Sequence, residues 1–172
     1  MTLEIIKTRR SIRKYKDTPI PKAKITAMLE AAMLAPSACN TRPWRFIAIT
    51  SRDVLNRLAD AHNWAKMLYT APLAIIVVAL PATQEGHPVD LPKGFYPQDC
   101  GAATQNILLQ AEAMGYGSCW CGVYPKPVQP VISEILEIPE GEIPFNIIAI
   151  GEKDEAPEPR GRYDEARITW VE

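Results

Sequence analysis

Apolar and polar positions alternate along the chain with two different periods, which predicts both helices and strands. Apolar side chains that recur every three or four positions predict helices over four stretches, residues 22–34, 53–69, 98–114 and 128–136. Short runs rich in branched and aromatic side chains predict strands over residues 45–50, 118–122 and 145–150. Residues 73–80 are apolar on both faces and framed by prolines, which predicts a central buried strand. About five helices around a small sheet of about four strands indicate a mixed helix-and-strand architecture.

The two ends of the chain need separate interpretation. Residues 2–14 begin with a capping residue and three apolar positions before they turn basic, and we expect a helix there. Residues 152–172 are charged and end in the strand-like run 168–171, which contains Trp170. Apolar side chains on such an arm need a partner. The arm either packs on its own sheet or crosses to a second subunit, and the sequence leaves both open.

Length and charge restrict the class of protein. A chain of 172 residues with a formal net charge of −1 fits a single domain over residues 1–172 and excludes a globally basic nucleic-acid binder. The longest apolar run, residues 71–82, contains two prolines and is too short to span a bilayer. Four cysteines without a secretory signal predict free thiols and a cytoplasmic location.

A basic cluster near the N-terminus is the first candidate for chemistry. Arg9, Arg10, Ser11 and Arg13 combine guanidinium groups with a hydroxyl, which suits a phosphate dianion. On a helix, Arg9 and Arg13 would share one face. A solvated basic helix end is the alternative.

Two further segments contain polar side chains that are candidates for ligand binding. Residues 35–44 place two prolines around small and amide residues. Such a loop could bind a flat polar heterocycle, and an ordinary helix-to-strand turn is the alternative. Asn63 and Lys66 are three apart on the polar side of the predicted helix 53–69. They are either surface residues or, for the lysine, a group that stabilises a developing anion.

Several familiar sites are excluded or disfavoured. The glycines at 115 and 117 follow a helix and precede a strand, the reverse of a dinucleotide-binding turn. We expect the thiols of Cys119 and Cys121 on opposite faces of their strand, and there is no C-x-x-C or H-E-x-x-H spacing, so no metal site is predicted. Neither histidine has a triad context.

The order of these motifs resembles the nitroreductase family of flavoproteins. The motifs are RRSIRKY from residue 9, APSACN from residue 35 with Pro43 and Trp44, GYGSCW from residue 115, and the closing Ile150 and Gly151 with a basic tail. They span nearly the whole chain. The resemblance implies an α+β fold with a mainly antiparallel central sheet flanked by helices, FMN as cofactor, and an intertwined homodimer with C-terminal arm exchange.

The resemblance also implies roles for individual residues. Arg9, Arg10, Ser11 and Arg13 match the family's N-terminal flavin motif, with Arg13 towards N1 and C2=O of the ring. The other matching positions are Pro36, Ser37 and Asn40 in a loop that the second subunit contributes to the site, Asn63 and Lys66 at the pyrimidine edge of the flavin, Cys121 and Gly122 near its N5, and Arg160 and Arg162 on its phosphate. Arg42 stands where the family usually has glutamine.

The activity implied is transfer of hydride from NADH or NADPH through flavin N5 to a small acceptor such as a nitroaromatic or a quinone, in a ping-pong cycle. The flavin carries the redox chemistry, so no catalytic side chain is required. Alternatives on the same scaffold are reductive dehalogenation and reduction of an activated double bond. A flavin carrier without turnover and a dimeric module without flavin are rivals from another class. We expect no nucleic acid and no membrane as partner.

Overall fold

Four strands form one antiparallel sheet in the order β1-β2-β4-β3 in the computed structural model, which describes residues 2–85, 94–158 and 161–172. The strands are β1 (Trp44–Ile49), β2 (Leu73–Ala79), β3 (Tyr116–Gly122) and β4 (Ile143–Glu152). The helices of the described residues are α1 (Glu4–Thr8), α2 (Lys22–Met33), α3 (Arg52–Ala61), α4 (Tyr96–Ala113) and α5 (Gln129–Ile135). The predicted α+β class is confirmed.

Helices cover both faces of the sheet, and this explains why β2 is apolar throughout. Every residue of β2 is buried. Its odd-numbered side chains pack against α2 and α4, and its even-numbered ones pack on the side of α3 and α5. Alternate side chains of a strand point to opposite faces, so a strand between two apolar layers loses the usual polar alternation.

The two ends of the chain differ from the predictions. The helix expected over residues 2–14 ends at Thr8, and the backbone beyond it is extended. The run 168–171 forms no strand, and residues 161–172 are exposed along their whole length. Burial in a layer is what fixes a strand-like sequence as a strand, and within one copy of the chain this arm has no layer to join. No helix among the described residues is long and apolar enough to cross a membrane.

Candidate functional site

Residues 9–14, here called the arginine segment, run alongside the edge strand β3. The amide N–H of Ile12 donates to the carbonyl of Ser118 at 3.0 Å, and Ser11 forms a parallel bridge with Ser118. The expectation that Arg9 and Arg13 share a helical face is therefore wrong. In extended backbone four residues span about 13 Å, so the two arginines reach different parts of the surface.

Two glycines allow the arginine segment to lie close to the sheet. A Cβ on Gly117 would stand 2.8 Å from Cβ of Ile12, and one on Gly151 would stand 2.9 Å from Cδ1 of Tyr15. Tyr15 is buried, and its hydroxyl lies 2.5 Å from the carbonyl oxygen of Ile12 and 3.1 Å from that of Ala149. Burial raises the pKa of Tyr15 well above its usual value. The neutral phenol is therefore a fixed part of the packing.

One end of the arginine segment borders a cleft of about 530 Å³, here called the basic cleft. Its charged lining residues are Lys7, Arg9, Arg10 and Arg162, with the hydroxyl of Ser11 beside them. Arg10 Nη1 donates to the carbonyls of Lys7 and Arg9 at 2.6 and 2.7 Å, whereas its Nε is buried and has no partner among the described residues. No carboxylate of the described residues lines the basic cleft. An unpaired buried guanidinium N–H among four cations suits an oxyanion with several acceptor oxygens.

The other end of the segment borders a second opening of about 700 Å³, here called the wide cleft. Its lining residues are Arg13, Lys14, Tyr15, Asn63, Trp64, Lys66, Met67, Tyr69, Thr70 and Asp154. Three cations face one carboxylate, and the side chain of Trp64 is 76% exposed on the rim. Positive potential beside aromatic surface suits a planar ring that becomes anionic.

Asn63 and Lys66 reach the wide cleft from a different element than predicted. Helix α3 ends at Ala61, and Lys66 begins a short 3-10 turn, so the prediction of a continuous helix over 53–69 is wrong. Lys66 Nζ donates to the carbonyl of Ala59 at 2.8 Å, and that of Asp60 lies at 3.5 Å. These carbonyls are left open at the C-terminus of α3, where a cation is favoured. The ammonium group of Lys66 is thus fixed in the wall between α3 and the cleft.

Cys119 and Cys121 lie on the same face of β3, which corrects the expectation of opposite faces. Residues two apart on a strand share a face, and both thiols are buried in the layer that contains α3 and α5. Cys121 Sγ lies 3.8 Å from Met67 Sδ. The neighbouring Cys121 thiol, assisted by Arg13 and Arg9 and opposed by burial, lowers the pKa of Cys119 to about 7. Among the described residues there is no cluster of three or more metal-ligating side chains of His, Cys, Asp or Glu.

The loop after α2 lies away from both clefts. Pro36 and Asn40 are exposed and Ser37 is half-buried, and none of the three lines the basic or the wide cleft. Asn40 has a positive φ of 54°. The buried carboxylate of Asp99 on α4 accepts the N–H of Ala38 at 3.1 Å and helps to hold this conformation.

The predicted residues thus fall into separate groups. Arg9, Arg10, Ser11 and Arg162 meet at the basic cleft; Arg13, Asn63 and Lys66 meet at the wide cleft; Cys121 and Gly122 end the neighbouring strand β3; and Arg160 lies outside the described residues. Sequence reasoning did not identify Trp64 or Tyr69, because apolar side chains in a predicted amphipathic helix are normally assigned to its buried face.

Comparison with known proteins relates these clefts to a family. The model of the nitroreductase family matches residues 6–65 and 60–152. A protein of Methanothermobacter thermautotrophicus that carries the name NADH dehydrogenase/NAD(P)H nitroreductase is 43% identical over 96% of this chain and 84% of its own length. The chain belongs to the nitroreductase family. The resemblance identified from the sequence motifs is therefore confirmed.

Solved nitroreductase-family structures also share the fold. The FMN-dependent nitroreductase from Clostridium difficile R20291 superposes with a TM-score of 0.86 at 32% identity and covers 98% of both chains. A protein from Parabacteroides distasonis, also named NADH dehydrogenase/NAD(P)H nitroreductase, superposes with a TM-score of 0.89 at 36% identity and covers 97% of this chain and 95% of that one. The arrangement of sheet and helices described above is thus that of the nitroreductase fold.

Proposed function

We propose that this nitroreductase-family chain is an FMN-dependent NAD(P)H oxidoreductase. The observation that carries the proposal is the buried, unpartnered Nε of Arg10 in the basic cleft, at one end of the segment that leads to the wide cleft. FMN has a phosphate at one end and a flat ring at the other, and the two clefts offer complementary chemistry to these ends. The printed names of two relatives, one FMN-dependent and one NAD(P)H-using, support the same cofactors.

In this proposal the basic cleft binds the phosphate of FMN. The guanidinium groups of Arg9 and Arg10 and the hydroxyl of Ser11 donate to its oxygens. Arg162 approaches from the C-terminal arm. We expect Arg160 to assist it, on the family motif alone.

The wide cleft receives the ring. Arg13 and Lys14 are the exposed cations of the segment at this end, and Lys66 and Asn63 line the same cleft. Positive charge beside N1 and C2=O favours the reduced, anionic ring. Cys121 and Gly122 contribute their backbone near N5. A Cβ on Gly122 would meet only Lys126 Nζ, at 4.0 Å, so the approach to this peptide is open.

Held in the two clefts, FMN would supply hydride transfer through N5 between NADH or NADPH and a nitroaromatic or quinone acceptor, in a ping-pong cycle. The chain's own residues bind, orient and neutralise charge, and none is required as an acid or base.

We further propose that the working unit is a homodimer and that residues 1–172 form one domain in each copy. Ser37 and Asn40 line neither cleft of their own chain, so they would act at the site of a second copy. The exposed arm supports exchange between copies, because Trp170 is 76% and Val171 93% exposed. Surface of this kind is normally covered by a partner. Sedimentation velocity of the intact protein and of Trp170→Asp tests the proposal; a monomer in the intact protein would contradict it.

The decisive experiment compares flavin binding by the unmodified protein, Arg10→Met and Arg57→Met. Arg57 is an exposed arginine of α3 outside both clefts, and it controls for loss of a positive charge. We expect the unmodified protein and Arg57→Met to bind FMN equally and Arg10→Met to bind it at least about tenfold more weakly, as for a lost charge-assisted hydrogen bond.

Redox activity is then followed by visible absorption under anaerobic addition of NADH and, separately, NADPH. Bleaching of the flavin by either donor, followed by turnover with menadione or a nitrofuran, supports the oxidoreductase. Bound flavin that neither donor bleaches would indicate a carrier, and no uptake of FMN would refute the site. Lys66→Ala reports on the ring: an unchanged flavin potential and turnover would remove Lys66 from the proposal.

A further inference from the structure

His62 is buried at the end of α3, and hydrogen bonds engage both of its ring nitrogens. Only 2% of the residue is exposed. Nδ1 accepts the amide N–H of Trp64 at 3.1 Å, and Nε2 lies 2.9 Å from the carbonyl oxygen of Gly122. Because Nδ1 acts as an acceptor, the imidazole proton is on Nε2, which donates to Gly122.

The Gly122 peptide lies at the end of an edge strand. In an antiparallel strand, residues whose N–H and C=O point away from the neighbouring strand alternate with residues that pair with it. The carbonyls of Ser118 and Gly122, four residues apart, both point away from β4, since they accept from Ile12 and from His62. The N–H of Gly122 therefore points to the free edge of β3 as well.

The other hydrogen bond of His62 holds a wall of the wide cleft. The amide of Trp64 donates to His62, and the carbonyl of Trp64 accepts from Cys121 Sγ at 3.3 Å. The backbone of Trp64 is thus fixed on both sides, while its ring remains exposed on the rim next to Asn63. A single imidazole joins this wall to the end of β3, which lies 60 positions further along the chain.

We propose that His62 is a positioning residue for the flavin site, which rests on the function proposed above. Its Nε2–H holds the carbonyl of Gly122 and thereby the backbone of the residue whose own N–H, on the preceding peptide, points to the edge where the flavin N5 would lie. Its Nδ1 sets the position of Trp64 against the substrate in the wide cleft. His62 contacts neither the ring nor the substrate and transfers no proton. It acts by orienting a backbone N–H and an aromatic side chain before the ligand arrives, and so reduces the ordering required on binding.

Two substitutions separate the two hydrogen bonds of His62. The amide nitrogen of glutamine reaches roughly the place of Nε2, so His62→Gln keeps the donor to Gly122 and loses the acceptor for Trp64. The carbonyl oxygen of asparagine lies roughly at the place of Nδ1, so His62→Asn keeps the acceptor and loses the donor. Both replace the imidazole by an amide, so each serves as the control for the other.

We expect the two variants to change different properties of the flavoprotein. His62→Asn should shift the midpoint potential of bound FMN and slow its reduction by about two- to tenfold, the range for loss of one hydrogen bond. His62→Gln should keep the potential and instead raise KM for the acceptor. If both variants lose stability but keep the potential, the reduction rate and KM, His62 is only a structural residue and the inference is wrong.

A measurement without flavin keeps the inference separate from the function on which it rests. Nitrogen chemical shifts of the His62 ring in the apoprotein should show the Nε2–H tautomer, and the opposite tautomer would overturn the inference. Failure of the unmodified protein to bind FMN would instead refute the proposed function and leave the hydrogen-bond assignment intact.

Discussion

Replacement of Gly117 by alanine tests how the arginine segment is held against the sheet. The added Cβ would lie 2.8 Å from Cβ, Cγ1 and Cγ2 of Ile12. Carbon atoms in contact normally stay about 3.5–4.0 Å apart. Rotation of the Ile12 side chain cannot relieve the overlap with its own Cβ, and its backbone is bound to Ser118 at 3.0 Å. The whole segment must therefore move away from β3.

The expected loss of stability follows from two opposing effects. Overpacking of this kind costs about 1–3 kcal/mol, and the reduced freedom of alanine in the unfolded chain offsets about 0.4–1 kcal/mol of it. We therefore expect Gly117→Ala to lower the free energy of unfolding by about 1–2 kcal/mol and Tm by about 2–8 °C. The affinity for FMN should fall as well, because the displaced segment contains Arg10 and Arg13.

Thermal unfolding followed by far-UV circular dichroism, with Gly101→Ala as control, measures this loss. A Cβ on Gly101 would lie 3.7 Å from Trp120 Cη2, an ordinary contact, and alanine is favoured over glycine inside α4 by about 1 kcal/mol. The control should thus match or exceed the Tm of the unmodified protein. If Gly117→Ala does the same, Ile12 does not pack against Gly117 as described and the reasoning fails.

Three further substitutions test other contacts. Asp99→Ala removes the carboxylate that accepts a backbone N–H of the loop after α2 and the amide of a buried glutamine. Urea unfolding should show a free energy of unfolding lower by about 1–3 kcal/mol, with a smaller decrease for Asp99→Asn. Thr104→Val removes the acceptor of Asn146 Nδ2 at 2.7 Å, and Asn146 Oδ1 has no partner in the part of the chain that the structure describes, so a similar decrease in the free energy of unfolding is expected; stability equal to the unmodified protein would show that the amide finds another partner. Cys121→Ala removes the neighbouring thiol that lowers the pKa of Cys119, so the ultraviolet absorbance of the Cys119 thiolate in the apoprotein should appear at higher pH; an unchanged midpoint would contradict that cause.

Two predicted elements agree closely with the structure, and in both a periodic apolar pattern is buried by layers of the same chain. The helix predicted over 22–34 is α2 (Lys22–Met33), and the buried strand predicted over 73–80 is β2 (Leu73–Ala79). In these segments the pattern and the tertiary environment impose the same requirement. The run 168–171 has a strand pattern without a layer of its own chain to bury it, and it remains exposed.

The site could be predicted in its residue types but not in its geometry. Arg9, Arg10 and Ser11 of the predicted basic cluster line one cleft together, yet the assignment of the cluster to a helix was wrong. Basic residues near a helix end fit a helix or an extended segment equally well. The hydrogen bond from Ile12 to Ser118, more than 100 positions away along the chain, selects the extended form. No local signal reports such a partner.

The sequence by itself determined the order of helices and strands, the central place of β2 and the family, because burial periodicity and short motifs are local properties of the chain. The tertiary structure decided that Arg10 and Arg13 face different clefts and that His62 joins Trp64 to Gly122. These relations depend on which backbone groups find partners across the sheet, and a buried polar group takes the partner that the fold brings near it.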